Sequence, residues 1–277
     1  MSVPIVVQVS DTHLSPSSQE FNGNWDIALE TINALNPDLV VHTGDLNCHD
    51  PDSDRDQDFA KAQMDRLAVP WIAIPGNHDV GDGPPEPVMG QEVTAERCEG
   101  FRRRYGQDRW ARDLGDWTLV GLNSLIFGNA DGEEQWDWLA DTLRARKKRK
   151  VALFIHKPPF LANFSEEQES SRTIPRVARA RLASVIVGST IAMVASGHCH
   201  EYRHYTSGTT SVVWAPSTAF ILKQGTPFPT DNYVQAPGFV IHAFGPDGHS
   251  HRLEQPGRLT LYDNALFHLL RAGANHA

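Results

Sequence analysis

Five short clusters in this chain carry side chains able to ligate metal ions and move protons. They are Asp11-Thr12-His13, Gly44-Asp45, Gly76-Asn77-His78-Asp79, His156, and Gly197-His198-Cys199-His200. Imidazole suits zinc, iron, nickel and cobalt, and carboxylate suits manganese and magnesium. The candidate ligands are Asp11, His13, Asp45, Asn77, His156, His198 and His200. One ion takes about four to six ligands, so these are too many for one metal and few for two unless one bridges. A carboxylate bridges well because it has two oxygens. The glycine before Asp45 allows close approach, which makes Asp45 the expected bridge. Two metals about 3.5–4 Å apart can activate a water and stabilise both oxygens of an in-line phosphoryl displacement. His78 can accept or donate a proton, and Asp79 can orient an imidazole, so both are candidate catalytic residues. Singly, each cluster is weak. A lone histidine at a strand end is more often a satisfied polar residue, which is the reading for His42, His204 and His242.

The clusters gain weight because each ends an apolar run. Ile5 to Ser10, Leu39 to Thr43, Val69 to Pro75, Val151 to Ile155 and Thr190 to Ala195 read as buried strands, and Trp117 to Leu122 as another. Helices are expected over 26–35, 59–67, 94–104 and 133–143, within 175–187, and over 259–271. In the last of these, Tyr262, Leu266, Leu269 and Leu270 form an apolar face that reads as core packing. Strand–helix alternation implies parallel strands with right-handed crossovers, and ligands bind beyond the carboxyl ends of such strands. The clusters should therefore converge. Short β-like runs at 201–206, 210–214 and 238–244 suggest an antiparallel end of the sheet or a second sheet. The stretch 49–58 reads as a solvated loop, and 81–90, rich in Gly and Pro, as irregular. Arg102-Arg103-Arg104 and the basic run 144–150 read as solvated faces. Ser165 to Arg172 is either a mobile lid or a plain loop, and neither 81–110 nor 160–175 receives a role.

Composition sets outer limits. A formal net charge of −9, spread along 277 residues, argues against a nucleic-acid surface built on excess positive charge. Cys48, Cys98 and Cys199 are an odd, sparse set that fits a reducing compartment better than a disulfide framework. The first residues show neither a basic n-region nor a long apolar stretch, so no signal peptide or membrane span is expected and the cytoplasm is the default location.

Together, Asp11-X-His13, Gly44-Asp45, Gly76-Asn77-His78-Asp79, His156 and Gly197-His198-X-His200 resemble the motif set of the calcineurin-like metallophosphoesterases, over roughly residues 5 to 205. The likeness is strongest to the class III cyclic-nucleotide phosphodiesterase branch, through Val9-Ser10-Asp11-Thr12-His13-Leu14 and Ile74-Pro75-Gly76-Asn77-His78-Asp79. The resemblance implies an α/β fold, a four-layer α/β/β/α sandwich, in one domain over 1–277 whose residues 201–277 complete the second sheet and add a C-terminal helix. It implies Asp11, His13, Asp45 and His200 on one metal and Asp45, Asn77, His156 and His198 on the other, with His78 facing the substrate phosphate. The cofactors would be two divalent or trivalent ions among iron, manganese, zinc and cobalt. The expected activity is hydrolysis of small phosphodiesters, cyclic nucleotides included, by metal-bound hydroxide. A phosphomonoesterase, a phosphonate ester hydrolase and a non-catalytic scaffold are the alternatives. No nucleic acid polymer or membrane is an expected partner, and a homo-oligomer is left open. Relatives often read His-His-Pro-Pro where this chain has His156-Lys157-Pro158-Pro159, so the role of Lys157 is open.

Overall fold

In the computed structural model, which describes residues 3–84, 91–223 and 233–274, the first strand already shows how the layers arise. Successive residues of β1 (Ile5–Val9) face opposite ways. Val7 and Val9 pack outward against Trp25, Ala28 and Ile32 of α1 (Gln19–Leu35), while Val6 points inward. In β2 (Leu39–His42), Val40 faces out and Leu39 and Val41 face in. β3 (Trp71–Ala73) continues the parallel series β1-β2-β3. The outer cover is completed by α2 (Asp54–Met64), the short α3 (Asn77–Val80) and α4 (Ala95–Tyr105).

A second sheet repeats the pattern. Its strands are β4 (Trp110–Leu114), β5 (Trp117–Gly121), β6 (Lys150–Phe154), β7 (Ile191–Ser196), β8 (Tyr202–Ser207), β9 (Thr210–Trp214) and β10 (Tyr233–Val234). They lie in the order β10-β8-β9-β7-β6-β5-β4. Trp117, Leu119, Ala152, Phe154, Met193 and Ala195 meet Val6, Leu39, Val41 and Ile74 of the first sheet in a shared core. The opposite-facing Val120, Val151, Leu153 and Val194 pack under α5 (Ala130–Ala145) and α6 (Arg176–Val187). The result is the expected four-layer α/β/β/α sandwich.

The assignment of residues 201–277 to the second sheet needs correcting. β8 to β10 lie there, but β11 (Phe239–Phe244) pairs antiparallel with β1, and β12 (His249–Glu254) pairs with β11. Both therefore extend the first sheet. The chain then ends in α7 (Asn264–Ala274). No helix among the described residues is long and apolar enough to cross a membrane.

Other differences have local causes. α1 starts seven residues before the expected Asp26, because Phe21 and Trp25 carry its buried stripe back one and a half turns. α2 begins inside the aspartate-rich stretch read as loop. Ser53 caps it by accepting from Asp56 N, and Asp54 and Asp56 suit a helix N-terminus. β12 is polar and lies at a sheet edge, so it lacks an apolar signal. Of the irregular stretch 81–90, residues 85–90 lie outside the described residues.

Between the sheets runs a chain of buried polar groups. His249 Nε2 stands 2.8 Å from His242 Nδ1, and His242 Nε2 lies 3.0 Å from Gln8 Oε1. The Gln8 amide donates to Thr43 Oγ1 and to Ser196 O of the second sheet. His42 is likewise a satisfied core residue, bonded to Thr12 Oγ1 and Gly44 N. Burial holds His249 down to about 3 and His251 down to about 4, and His242 well below the usual value. These rings are neutral in the fold and protonate near 6.5 when unfolded. Their contribution is therefore complete above about pH 6.5 and is lost as pH falls from there toward 4 and 3. The limit is about 1.4 kcal/mol per pH unit per ring, reduced by solvent screening at His249 and His251, which are both partly exposed. His249→Gln should flatten the fall in melting temperature between pH 6.5 and 4. Parallel curves for variant and wild type would show that this network does not control acid stability.

Candidate metal centre

Six non-glycine residues among those described have positive φ, and five of them are Asp11, His13, Asp45, His198 and His200, at φ 52, 46, 59, 68 and 54°. The sixth, Asn36, caps α1. Left-handed backbone at such residues costs on the order of 1–3 kcal/mol each and persists only where the surroundings over-determine it. Here the loops beyond β1 and β2 keep pairing after the strands end. Asp11 N donates to Gly44 O at 2.9 Å, His13 N to Asp45 O at 3.2 Å, and Leu14 N to Leu46 O at 2.8 Å. Glycine allows the loops to touch. At Gly44, φ is +97°, and an added Cβ would stand 2.5 Å from Gly76 N and 2.7 Å from His156 Nδ1. Gly76 itself is extended, so its role is close approach to Asp45 rather than a special turn.

All seven candidate ligands converge, although they come from both sheets. His200 Nε2 lies 3.2 Å from His13 Nε2 and 3.3 Å from Asp11 Oδ1. His156 Nε2 lies 3.1 Å from Asn77 Oδ1, 3.1 Å from His198 Nδ1 and 3.4 Å from Asp45 Oδ2. Asp45 Oδ2 is also 4.0 Å from His13 Nε2, which puts it between the two groups. Nitrogen and oxygen donors at ~2.0–2.2 Å from a common ion stand roughly 3.0–3.5 Å apart, so these separations fit a metal. Asp11 Oδ1 is buried with no hydrogen-bond donor, as an oxygen reserved for a cation would be.

Backbone carbonyls fix the rings. His156 Nδ1 bonds Thr43 O at 2.7 Å, His200 Nδ1 bonds Phe220 O at 2.8 Å, and His78 Nδ1 bonds Cys48 O at 2.8 Å. A carbonyl only accepts, so Nδ1 carries the hydrogen and Nε2 is left for a metal or a proton. Burial, then neighbouring histidines, hold His13 well below the usual value; burial, then His156 and Lys157, do the same to His198. Burial also opposes charge on His156, yet the Asp45 carboxylate carries that ring up to about 9. The position attracts positive charge.

Asp79 is not placed as expected. Its carboxylate does not orient His78, whose Nδ1 is taken by Cys48 O. Instead it accepts from the backbone N–H groups of Asp45, Leu46, Asn47 and Gly76 at 2.8, 3.0, 3.2 and 2.8 Å, and from Asn47 Nδ2 at 3.2 Å. It ties the Asp45 loop to the Asn77 loop, a positioning role. Asp79→Asn would turn an NH₂ group toward these donors. The expected loss is on the order of 3–5 kcal/mol of stability, read as a lower denaturation midpoint in metal-free protein. Unchanged stability with lost activity would restore a role in the chemistry.

His13, Asp45, Asn77, His78, His198 and His200 open into a cavity of about 410 Å³. Asp11 and His156 lie against these ligands and are fully buried. Residues not foreseen also line it, namely Arg172, Phe220, Leu222, Phe267, His268 and Arg271. Lys157 is elsewhere, in a buried ion pair with Asp82. Nor does the arginine triplet enter the cavity. Arg102 pairs with Glu99 and Asp108, and Arg104 with Asp54 and Asp58.

The family described as calcineurin-like phosphoesterase matches residues 5–202. The chain belongs to that family. This metallophosphoesterase is 29% identical over 218 residues to a probable glycerophosphodiester phosphodiesterase GpdQ of Arcobacter nitrofigilis, covering 71% of this chain and 72% of that protein. It is 32% identical over 163 residues to a probable cyclic nucleotide phosphodiesterase of Moraxella catarrhalis, covering 55% and 57%. It is 29% identical over 190 residues to the serine/threonine-protein phosphatase CPPED1 of Homo sapiens, covering 63% and 57%. The aligned stretch thus spans little more than half of the last two relatives. Among solved structures, a dimetal phosphatase from Danio rerio shares the fold with a TM-score of 0.66, over 91% of this chain and 96% of its own, at 12% identity. As a metallophosphoesterase the protein is a metal-dependent phosphoester hydrolase, and the fold it shares is one that uses a dinuclear metal centre.

Proposed function

We propose that this metallophosphoesterase hydrolyses small phosphodiesters. The observation that carries the reading is the cavity. About 410 Å³ with metal donors at one end and Phe220, Leu222 and Phe267 as an apolar wall suits a small ester whose second alcohol lies against the wall. A folded phosphoprotein or a nucleic acid polymer needs a more open surface. Two of the relatives named above are described as probable phosphodiesterases.

In this reading Asp11, His13, Asp45 and His200 hold one ion, and Asp45, Asn77, His156 and His198 hold the other. Such a pair supplies Lewis acidity at the phosphoryl oxygens and an activated water. Iron, manganese, zinc and cobalt all suit this mixture of nitrogen and oxygen donors. Asp45 brings the two donor groups together. His78 presents Nε2 to the cavity, because Cys48 O holds its Nδ1. Because Nδ1 already carries a hydrogen, Nε2 can pass a proton to the leaving oxygen only from the protonated ring. Burial opposes that charge and the Asp45 carboxylate favours it. A ring nitrogen of His78 also lies within 4.8 Å of donor atoms of His13 and Asp45, so a place for it in the ion's shell is the competing assignment. The three cysteines, all buried and unpaired, support a reducing compartment, in our reading the cytoplasm.

Metal-reconstituted protein should cleave bis(p-nitrophenyl) phosphate with a kcat/KM at least about tenfold above that for p-nitrophenyl phosphate. A preference for the monoester, as the phosphatase relative suggests, or no cleavage of either, rejects the diester reading.

A further inference from the structure

Two residues stand where their types do not suggest. Leu269 of α7, expected in the core, is 71% exposed. Lys157 is 1% exposed, although lysine is almost never fully buried unless paired. Its partner is Asp82, itself 2% exposed. Among the described residues, one other ion pair of a lysine or arginine lies as deep, that of Arg203 with Glu201. Arg203 is in β8 and Glu201 just precedes it, so that pair stays within the second sheet. The Lys157–Asp82 pair instead crosses from the second sheet to the first.

Each end of the pair belongs to a loop that carries a candidate ligand. Lys157 follows His156 beyond β6, and Asp82 follows α3, whose first residue is Asn77. Asn77 Oδ1 and His156 Nε2 stand 3.1 Å apart. α3 is a single turn, too short to hold its own place. Asp79 fixes its front, because its carboxylate binds the backbone of the Asp45 loop. Its back runs through Gly81, whose N donates to Asn77 O at 3.0 Å, to Asp82. Asp82 N donates to Gln91 O at 2.7 Å, and Asp82 O accepts from Val93 N at 2.8 Å. Lys157 meets the side chain at that point. Its own backbone is pinned, since Lys157 N donates to Ser124 Oγ at 3.0 Å.

Burying two charges is costly, and their attraction offsets the cost only in part, so an apolar pair of similar volume is often as stable. An ion pair does supply a fixed length and direction, which an apolar contact does not. We infer that Lys157 and Asp82 are positioning residues of the metal centre. Their ion pair sets the back of α3 against the His156 loop, and so holds Asn77 and His156 at the spacing that one ion requires. The inference rests on the assignment of Asn77, His156 and His198 to one ion, and not on the diester reading. Loss of a group that orients ligands in this way typically weakens metal binding by about 10–100-fold.

The test is equilibrium dialysis of metal-stripped protein against graded free Mn²⁺, with bound manganese measured by elemental analysis. The denaturation midpoint of the metal-free protein is measured beside it. The double variant Lys157→Met/Asp82→Leu removes one charge of each sign, so net charge stays the same. Its metal-free midpoint should equal or exceed that of wild type. One of its two binding steps should weaken by about tenfold or more, with the other within about threefold. A second double variant, Lys157→Gln/Asp82→Gln, spans the same number of bonds with a neutral, directed hydrogen bond. It should recover most of the lost affinity. Unchanged binding in the first double variant, an equal loss at both steps, or no recovery in the second overturns the inference. So does a lower metal-free midpoint in the first, which would make the pair a plain stabilising contact. Asn77→Ala, run in parallel, tells the failures apart. If it removes an ion while the first double variant binds as wild type does, the inference falls and the ion assignment stands. If it keeps every ion that wild type binds, the assignment falls and the inference with it.

Discussion

Asp45→Asn should lower metal content from two ions per chain to one or fewer, and kcat/KM for any substrate by about 10³-fold or more, the equivalent of several kcal/mol of lost charge stabilisation. The reason is position. Asp45 Oδ2 is 3.4 Å from His156 Nε2 and 4.0 Å from His13 Nε2, so one oxygen serves both donor groups. Its Oδ1 accepts the His78 N–H at 2.8 Å, which ties the second loop to the same residue. Asparagine can keep the Oδ1 bond but brings an NH₂ group, which cannot ligate, where the second oxygen was. The metal-free fold should lose some stability too, because the fully buried His156 is left without its carboxylate partner. The histidines around Asp45 hold its carboxyl well below the usual range, against burial. Elemental analysis and circular dichroism on the same sample check the claim. Two ions per chain with activity within tenfold of wild type would show that Asp45 is not the bridge.

The second large effect separates His78 from Asn77. Asn77 Oδ1 lies 3.1 Å from His156 Nε2, among the candidate ligands, so Asn77→Ala should lower occupancy of one ion and activity with it. His78→Ala should leave metal content near two and slow the reaction by about 10²–10⁴-fold, the range for a general acid or base. The loss should be greatest for an alkoxide leaving group and smallest for p-nitrophenolate, which departs without a proton. Metal loss in His78→Ala would instead place its Nε2 among the ligands, beside His13 and Asp45. Equal losses for both leaving groups would reduce His78 to a phosphate-binding or structural residue.

Residue spacing made the candidate ligands legible as a group that should converge, and the structure brings them together. Each ligand follows a buried strand, and an apolar run that ends in Asp, Asn or His delivers a polar side chain to the rim of the core. Which partner each residue touches was not legible. Asp79 next to His78 reads as an orienting carboxylate, but adjacent residues on a helix point in different directions. The backbone turned the Asp79 carboxylate toward four N–H groups and left the His78 ring to a carbonyl of another loop. The division of the ligands between two sheets was also hidden, because the alternation of strand and helix is the same in both halves. β12 was missed because its Ser250, Arg252 and Glu254 are polar and its inward face is largely histidine. The wall of the cavity was present in the sequence as the stripe 264, 267, 268, 271. It was masked because Leu266, Leu269 and Leu270 gave the stronger apolar signal.

Asp11, His13, Asp45 and Asn77 follow strands of the first sheet, whereas His156, His198 and His200 follow strands of the second. Any ion held by ligands from both groups is a rivet through the middle of the sandwich. The apolar layer that joins the sheets has no direction and tolerates sliding, but a coordination shell does not. By mass action, an ion that binds only the assembled pair adds RT ln(1 + [M]/Kd) to the free energy of keeping the sheets in register, about 2.7 kcal/mol at a hundredfold excess over Kd. The strained, left-handed backbone at five of these residues is then the part of the fold that the ion offsets. Metal supply in the cell would set how long the folded protein lasts, as well as how fast it works.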